Sequence, residues 1–212
     1  MCGRYALHAN PQVIALQFAL DSAPEFKTSY NVCPGTDVLV VRADKEKKRV
    51  ARKYRWGLGN KLANARGETL AQRPAFRDAF RHWRCLVPSS GFYEWQTIGS
   101  RKLPWYVRPR DAELFALAGI SAIWNGVRSV SLITTEPNAL MASIHDRMPV
   151  ILKPEDYAEW LDTSNHDAQA LIRPYPADRM AARPVSMRVN QPENDDPALI
   201  EETSGPLQHG LL

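Results

Sequence analysis

Cysteine is scarce in this chain: Cys2, Cys33 and Cys85 are the only three in 212 residues, an odd number at wide spacing. That excludes a disulfide framework and a zinc pattern, and it points to free thiols in a reducing compartment. The five histidines are scattered, with no ligand spacing to one another or to cysteine, so neither a metal nor another cofactor is expected. No apolar run approaches the roughly 18 residues of a membrane span. The start of the chain also lacks the charged residues and apolar stretch that secretion uses. A soluble, cytoplasmic protein without a membrane partner is the expectation. Internal repeats, low-complexity tracts and interdomain linkers are missing too.

What is present suits one substantial core. A hydrophobic fraction of 44% over this length predicts a single domain over residues 1–202, with 203–212 as a fraying tail. Pro11 to Leu20 has the spacing of a short, largely apolar helix that starts at a proline. Pro74 to Trp83 puts Phe76, Phe80 and Trp83 on one helical face, and Pro154 to Leu161 opens a third helix. Val38 to Arg42 and Arg49 to Arg55 flank the charged turn Asp44 to Lys48 and read as a hairpin. Trp105 to Val107 and Leu114 to Ala118 read as another. Further strands are expected at Cys85 to Val87, Phe92 to Trp95, Val130 to Thr134 and Met148 to Leu152. Many strands, few helices and no βαβ alternation predict an α+β fold. Sixteen prolines predict irregular connections.

The net charge is +4, but its distribution says more than its sum. Eight basic residues lie between Arg42 and Arg55 against Asp44 and Glu46, and five arginines between Arg66 and Arg84 against Glu68 and Asp78. Acidic residues gather from Glu193 to Glu202. Such runs fit either a polyanionic partner or solvated hairpin and helix faces.

Several residues have the chemistry of a site. Loss of Met1, favoured by a small second residue, would leave Cys2 with an amine and a thiol on one carbon. An α-amine titrates near 7.7 to 8.0, so at neutral pH it is partly an unprotonated nucleophile. An aldehyde would accept it as an imine, and the thiol would then close a five-membered ring. Glu94, in Gly91-Phe92-Tyr93-Glu94-Trp95, is a carboxylate in an apolar strand, where burial would raise its proton affinity; a solvent-facing strand residue is the alternative. His145, in Ile144-His145-Asp146-Arg147-Met148-Pro149, fits a general acid/base or a structural histidine. Asn64 and Arg66 lie on the same side of an extended segment; Arg66 suits a phosphate or an ion pair with Glu68. Asn31, Pro34 and Trp56 could offer an amide, a wedge and an indole to unstacked bases, and Trp56 could equally be core.

In order, Met1-Cys2-Gly3-Arg4-Tyr5, Tyr30-Asn31-Val32-Cys33-Pro34-Gly35, Asn64-Ala65-Arg66-Gly67-Glu68-Thr69, Gly91-Phe92-Tyr93-Glu94-Trp95 and Ile144-His145-Asp146-Arg147-Met148-Pro149-Val150 resemble the motifs of the SRAP family. These are the SOS-response-associated peptidase proteins that process abasic sites. The weaker Val185-Ser186 and Val189-Asn190 segment fits the family's C-terminal part. The resemblance covers nearly the whole chain. It implies a curved, mostly antiparallel sheet or partial barrel with a few peripheral helices, and a basic groove leading to Cys2. It implies a thiazolidine crosslink between Cys2 and the ring-opened abasic site in single-stranded DNA, in the cytoplasm at the nucleoid of a bacterium. Asn64 would hold the adduct, Glu94 would assist ring opening and proton transfer, and His145 would serve imine chemistry and reversal. Arg4 and Arg66 would bind phosphates, with Arg73 and Arg147 as weaker candidates. A weak lyase activity and self-removal of Met1 also follow from it.

Four positions depart from the family pattern. Cys33 stands where a small residue such as alanine is expected, Ser89-Ser90 where Ala-Asp is common, and Pro137 where alanine is usual. Two rival functions fit the same residues. One is a thiol peptidase in which Cys2 attacks an acyl group; the other is a non-catalytic reader of single-stranded or modified DNA.

Overall fold

The computed structural model describes residues 2–59 and 61–203. The described residues form thirteen strands, three short α-helices and several 3-10 turns, an α+β fold dominated by antiparallel pairing. A five-stranded sheet holds β1 (Arg4–Leu7), β2 (Ser29–Val32), β7 (Gly91–Ile98), β8 (Arg101–Pro109) and β13 (Met180–Pro184), in the order β13-β8-β7-β1-β2.

The larger sheet is built on β3 (Asp37–Ala43), β4 (Arg49–Trp56), β6 (Arg84–Ser89), β9 (Phe115–Trp124) and β10 (Val127–Thr135). They lie in the order β10-β4-β3-β6-β9, each hydrogen-bonded to its neighbour, and β10 also pairs back onto β9. The five strands therefore close into a partial barrel, with short ladders at β3–β6 and β4–β10. Three short strands extend it: β5 (Asn64–Arg66) and β11 (Met148–Pro149) on β10, and β12 (Ile151–Leu152) on β9. One cluster of buried residues runs from Cys2 and Tyr5 through the barrel interior to Trp160 and Met180.

Local chemistry accounts for the elements. In α1 (Pro11–Phe18), the Asn10 Oδ1 caps the first turn by accepting from Gln12 N at 2.8 Å, and Pro11 supplies a preset φ. Ile14 and Phe18 are its buried residues, while Val13 and Leu16 stay exposed, so the helix buries less than its composition suggested. The β3–β4 turn is held by Asp44 Oδ1, which accepts from Glu46 N (3.0 Å) and Lys48 N (2.9 Å). Gly91 opens β7 where a Cβ would lie 2.1 Å from Tyr106 Cζ, so only glycine lets the two strands approach.

Four sequence expectations are corrected. Trp105–Val107 and Leu114–Ala118 do form strands, but they do not pair: β8 joins β7 and β13, and β9 joins β6, β10 and β12. Alternation reveals a strand and not its partner; β7 is joined to β8 by only Gly99 and Ser100, with Gly99 at φ +59°. Met148–Leu152 is split at Val150, whose N–H donates to Ile133 O and whose carbonyl accepts from Ala118 N, each at 2.9 Å. This one residue carries the chain from β10 to β9. Of the three aromatics placed on one face of α2 (Pro74–His82), Phe76 and Phe80 are buried, but Trp83, just past its end, is 43% exposed. The third expected helix begins as a 3-10 turn over Pro154–Asp156 and becomes α3 only over Tyr157–Leu161.

Candidate active site

Four of the residues singled out in the sequence meet where the two sheets adjoin. β1 and β7 are antiparallel with Arg4 opposite Tyr93, so Glu94 lies one ladder step further on, at the end where Cys2 begins. From the other sheet, β5 runs parallel to β10, with Asn64 beside Leu132. His145 follows the 3-10 turn Met141–Ser143. Its N–H donates to Met141 O (2.8 Å), and the turn is tied to β7 by Gln96 Nε2, which donates to Ser143 O at 2.8 Å.

The contacts are specific. Asn64 Nδ2 donates to the Cys2 carbonyl at 2.9 Å, while its Oδ1 is buried with no hydrogen-bond partner among the described residues. Such a buried acceptor costs about 1–3 kcal/mol. Glu94 is 1% exposed, and its Oε2 lies 3.8 Å from His145 Nε2. His145 Nδ1 lies 3.0 Å from the Arg147 N–H and 2.8 Å from Asp146 Oδ1. A bare Nδ1 accepts from the first, and a protonated Nδ1 donates to the second, so the ring has a partner in either state. Beside Glu94 and His145 opens a recess of about 320 Å³, also lined by Trp95, Thr97 and Lys102.

Burial sets the proton affinities. It raises Glu94 from the usual carboxylate range to about 7, so at neutral pH this group is poised between acid and base. Burial lowers His145, which keeps the imidazole neutral at that pH. Cys2 is fully buried; burial first, then the nearby Glu94 charge, pushes its thiol far above the usual value. Thiolate is therefore scarce, and a base must take the proton when sulfur reacts.

Arg66 is exposed on β5, alongside Thr134 of β10. Glu68 pairs not with it but with Arg147, in a two-pronged contact at 2.7 and 2.9 Å, while Arg147 also donates to Thr134 O at 2.8 Å. The Arg147 hydrogen bond holds the Glu68 carboxyl below its ordinary range. Pro34 is exposed in the turn between β2 and β3, and Arg73 is exposed just before α2.

Three of the expected DNA contacts are turned inward. Trp56 is completely buried, edge-on to Tyr5 with ring centroids 5.3 Å apart, and its Nε1 donates to Ala63 O. An indole closing the barrel cannot serve as a stacking platform. Asn31 is 4% exposed, and its Nδ2 donates to the carbonyls of Val189, Gln191 and Asn194. Its Oδ1 accepts from Arg4, whose guanidinium also donates to Val189 O at 2.7 Å. Asn31 and Arg4 thus fasten the segment 189–194 beside β1. The Asn31 amide is fully engaged, and Arg4 is largely so.

Sequence reasoning missed Thr134, Gln96 and Lys102 as neighbours of the site; Asn190, in the segment that fits the family's C-terminal part, accepts at Oδ1 from Trp95 Nε1 at 2.8 Å. Lys102 alone left a trace, because it faces Thr97 across the tight β7–β8 turn. Cys33 is half-buried, with its Sγ 3.2 Å from Asn31 O.

The barrel, the five-stranded sheet docked on it and the Cys2-centred cluster define a family: the chain belongs to the SOS response associated peptidase (SRAP) family, whose model matches residues 1–192. It is 40% identical to abasic site processing protein YoqW of Bacillus subtilis (strain 168), over 95% of this chain and 99% of that protein. It is 28% identical to abasic site processing protein YedK of Escherichia coli (strain K12), again over 95% and 99%. A crystal structure of a Bacteroides thetaiotaomicron protein superposes with a TM-score of 0.85 at 25% identity, covering 95% of this chain and all of the other.

Proposed function

We propose that this protein processes abasic sites by bonding covalently to them in single-stranded DNA, through Cys2 made N-terminal by loss of Met1. The observation that carries the reading is the convergence of Asn64 and Glu94 on Cys2, with His145 3.8 Å from Glu94: three side chains able to accept, donate and exchange protons near one potential nucleophile. The names of the relatives point to the same substrate.

The steps follow from the proton affinities. The free α-amine attacks the C1 aldehyde of the ring-opened sugar, and the carbinolamine loses water to give an imine. Glu94, half protonated near pH 7, is suited to donate to the departing hydroxyl and then to take the thiol proton. Sulfur adds across the C=N bond, nitrogen gains a proton, and a thiazolidine results. The amine goes first because burial keeps the thiol protonated. The same burial disfavours the rival thiol peptidase, which needs a ready thiolate. The buried Asn64 Oδ1 is suited to accept from the adduct's ring N–H. His145 is suited to reopening the ring. The same imine permits β-elimination of the 3′ phosphate, a weak lyase reaction.

The test is a denaturing gel with an oligonucleotide carrying one abasic site. A shifted band is expected for the mature chain, with complete loss in Cys2→Ala and in a chain carrying one extra residue before Cys2. A full band from the extended chain would overturn the thiazolidine, because a blocked amine cannot form the imine.

A further inference from the structure

The basic run of β3 and β4 takes no part in the cluster around Cys2. It borders a cleft of about 490 Å³ between the β3–β4 turn, the end of α2 and the segment after α3. Arg42, Lys45, Lys47, Arg49 and Arg84 line it, five cations against Asp44 and Asp162. Both carboxylates are committed. Asp44 holds its own turn, and Asp162 Oδ1 accepts from Ser164 N and Oγ, with only a 3.9 Å contact to Lys47. Arg84, buried at the floor, donates to the carbonyls of Phe80, Trp160, Asp162 and Asn165, and the Asp162 carboxylate offsets part of its charge.

Trp83 stands on the rim, 43% exposed, with the Arg128 guanidinium 4.8 Å from its ring centre. A concave cluster of cations with an aromatic at its edge matches what a single nucleic-acid strand offers: phosphates at regular intervals and bases with open faces. A solvated hairpin would display its charges on a convex surface, with no need of the tryptophan.

The cleft is remote from Cys2. Trp56, which packs on Tyr5, and Arg49 are seven residues apart on β4, roughly 23 Å at about 3.3 Å per residue. That is the span of about seven stacked nucleotides. We propose that this cleft is a second contact for single-stranded nucleic acid, seating phosphates between Arg42, Lys45, Lys47 and Arg49 and a base against Trp83. The proposal rests on the reading of DNA as the partner, and it adds a strand-length requirement to it: a longer strand gains affinity that a short one cannot.

Two measurements on the full chain test it. The first is the affinity for a lesion-free single strand of about 24 nucleotides, and the second is covalent capture of an abasic oligonucleotide of about three, too short to reach the cleft even when extended to roughly twice its stacked length. Lys45→Glu/Lys47→Glu, at two exposed positions, is expected to weaken the long strand about tenfold or more. It should lower the slope of log K against log salt by roughly 1.4, or about 0.7 for each phosphate no longer neutralised, and leave short-strand capture unchanged. Trp83→Ala should weaken the long strand about five- to a hundredfold with the slope intact, since it removes stacking and no charge. An unchanged long-strand affinity in the lysine variant, or an equal loss on the short oligonucleotide, would overturn the proposal. Failure of wild-type capture would instead sink the abasic reading, while the lesion-free arm still reports on the cleft.

Discussion

The two ends of the β3–β4 hairpin handle charge in opposite ways. At the Trp56 end, Arg55 is paired off with Asp37 at 2.8 Å, and the groups that stand out are Glu94 and His145, 3.8 Å apart, with proton affinities moved by burial. Around the far turn, cations are many and mostly at the surface, and the carboxylates that line the cleft with them are occupied by their own loops. Burial is what turns a carboxyl into a group that exchanges a proton near pH 7. Exposure preserves the ordinary charge and makes it an attractor that salt weakens. One end is built to be sensitive to pH, the other to ionic strength.

The sharpest test of that contrast is His145→Ala, which should slow reversal of a preformed adduct by about 10²- to 10⁴-fold, the usual worth of a general acid/base, while capture persists. Chasing labelled adduct with excess competing abasic DNA measures it. Equal slowing of formation and reversal would make His145 a binding residue and erase the proposed division of labour with Glu94.

A smaller effect concerns stability. Glu94 binds its proton at about 7 in the fold against 4.5 ordinarily, so between those values the folded chain holds more protons than the unfolded one. Stability should therefore fall as pH rises through that window. Glu94→Gln removes the penalty, and it should stabilise the chain by on the order of 3 kcal/mol at pH 8 and by nothing near pH 4. Melting curves at both values decide it; an equal shift at both would mean a packing effect with no titration behind it.

The smallest change is expected from Arg66→Ala. Removing one cation from the path of the strand should lower the salt slope of capture by roughly 0.7 to 1, a severalfold weakening at moderate salt. An unchanged slope would take Arg66 off that path.

Much of this was legible from periodicity and composition, for physical reasons that also mark the limit. The β-branched Val38, Val40 and Val41 and the charged turn after them declare a hairpin, because its register is set locally. Gly91-Phe92-Tyr93-Glu94-Trp95 reads as a strand with one misplaced carboxylate, and that carboxylate lies in the cluster. Partners distant in sequence leave no such trace. Nothing near Arg147 names Glu68 as its counter-ion, 79 positions away, and nothing near Arg4 names Val189, 185 away. Trp56 and Asn31 were open to either reading, because an indole or an amide suits a buried hydrogen bond as well as a base. Burial, which only the assembled sheets determine, chose between them.

The fastening of residues 189–194 by Arg4 and Asn31 has a consequence in time. A ribosome delivers Cys2 first and Val189 almost last, so during synthesis the start of the chain has nothing to dock against. An aminopeptidase that trims the nascent chain meets an open end; one that arrives after completion meets a cysteine with no exposed surface. On the proposed reading, removal of the first residue by another enzyme is easiest in the interval before residues 189–194 emerge. A slower ribosome should widen that interval, and a faster one should leave more molecules with their first residue uncut.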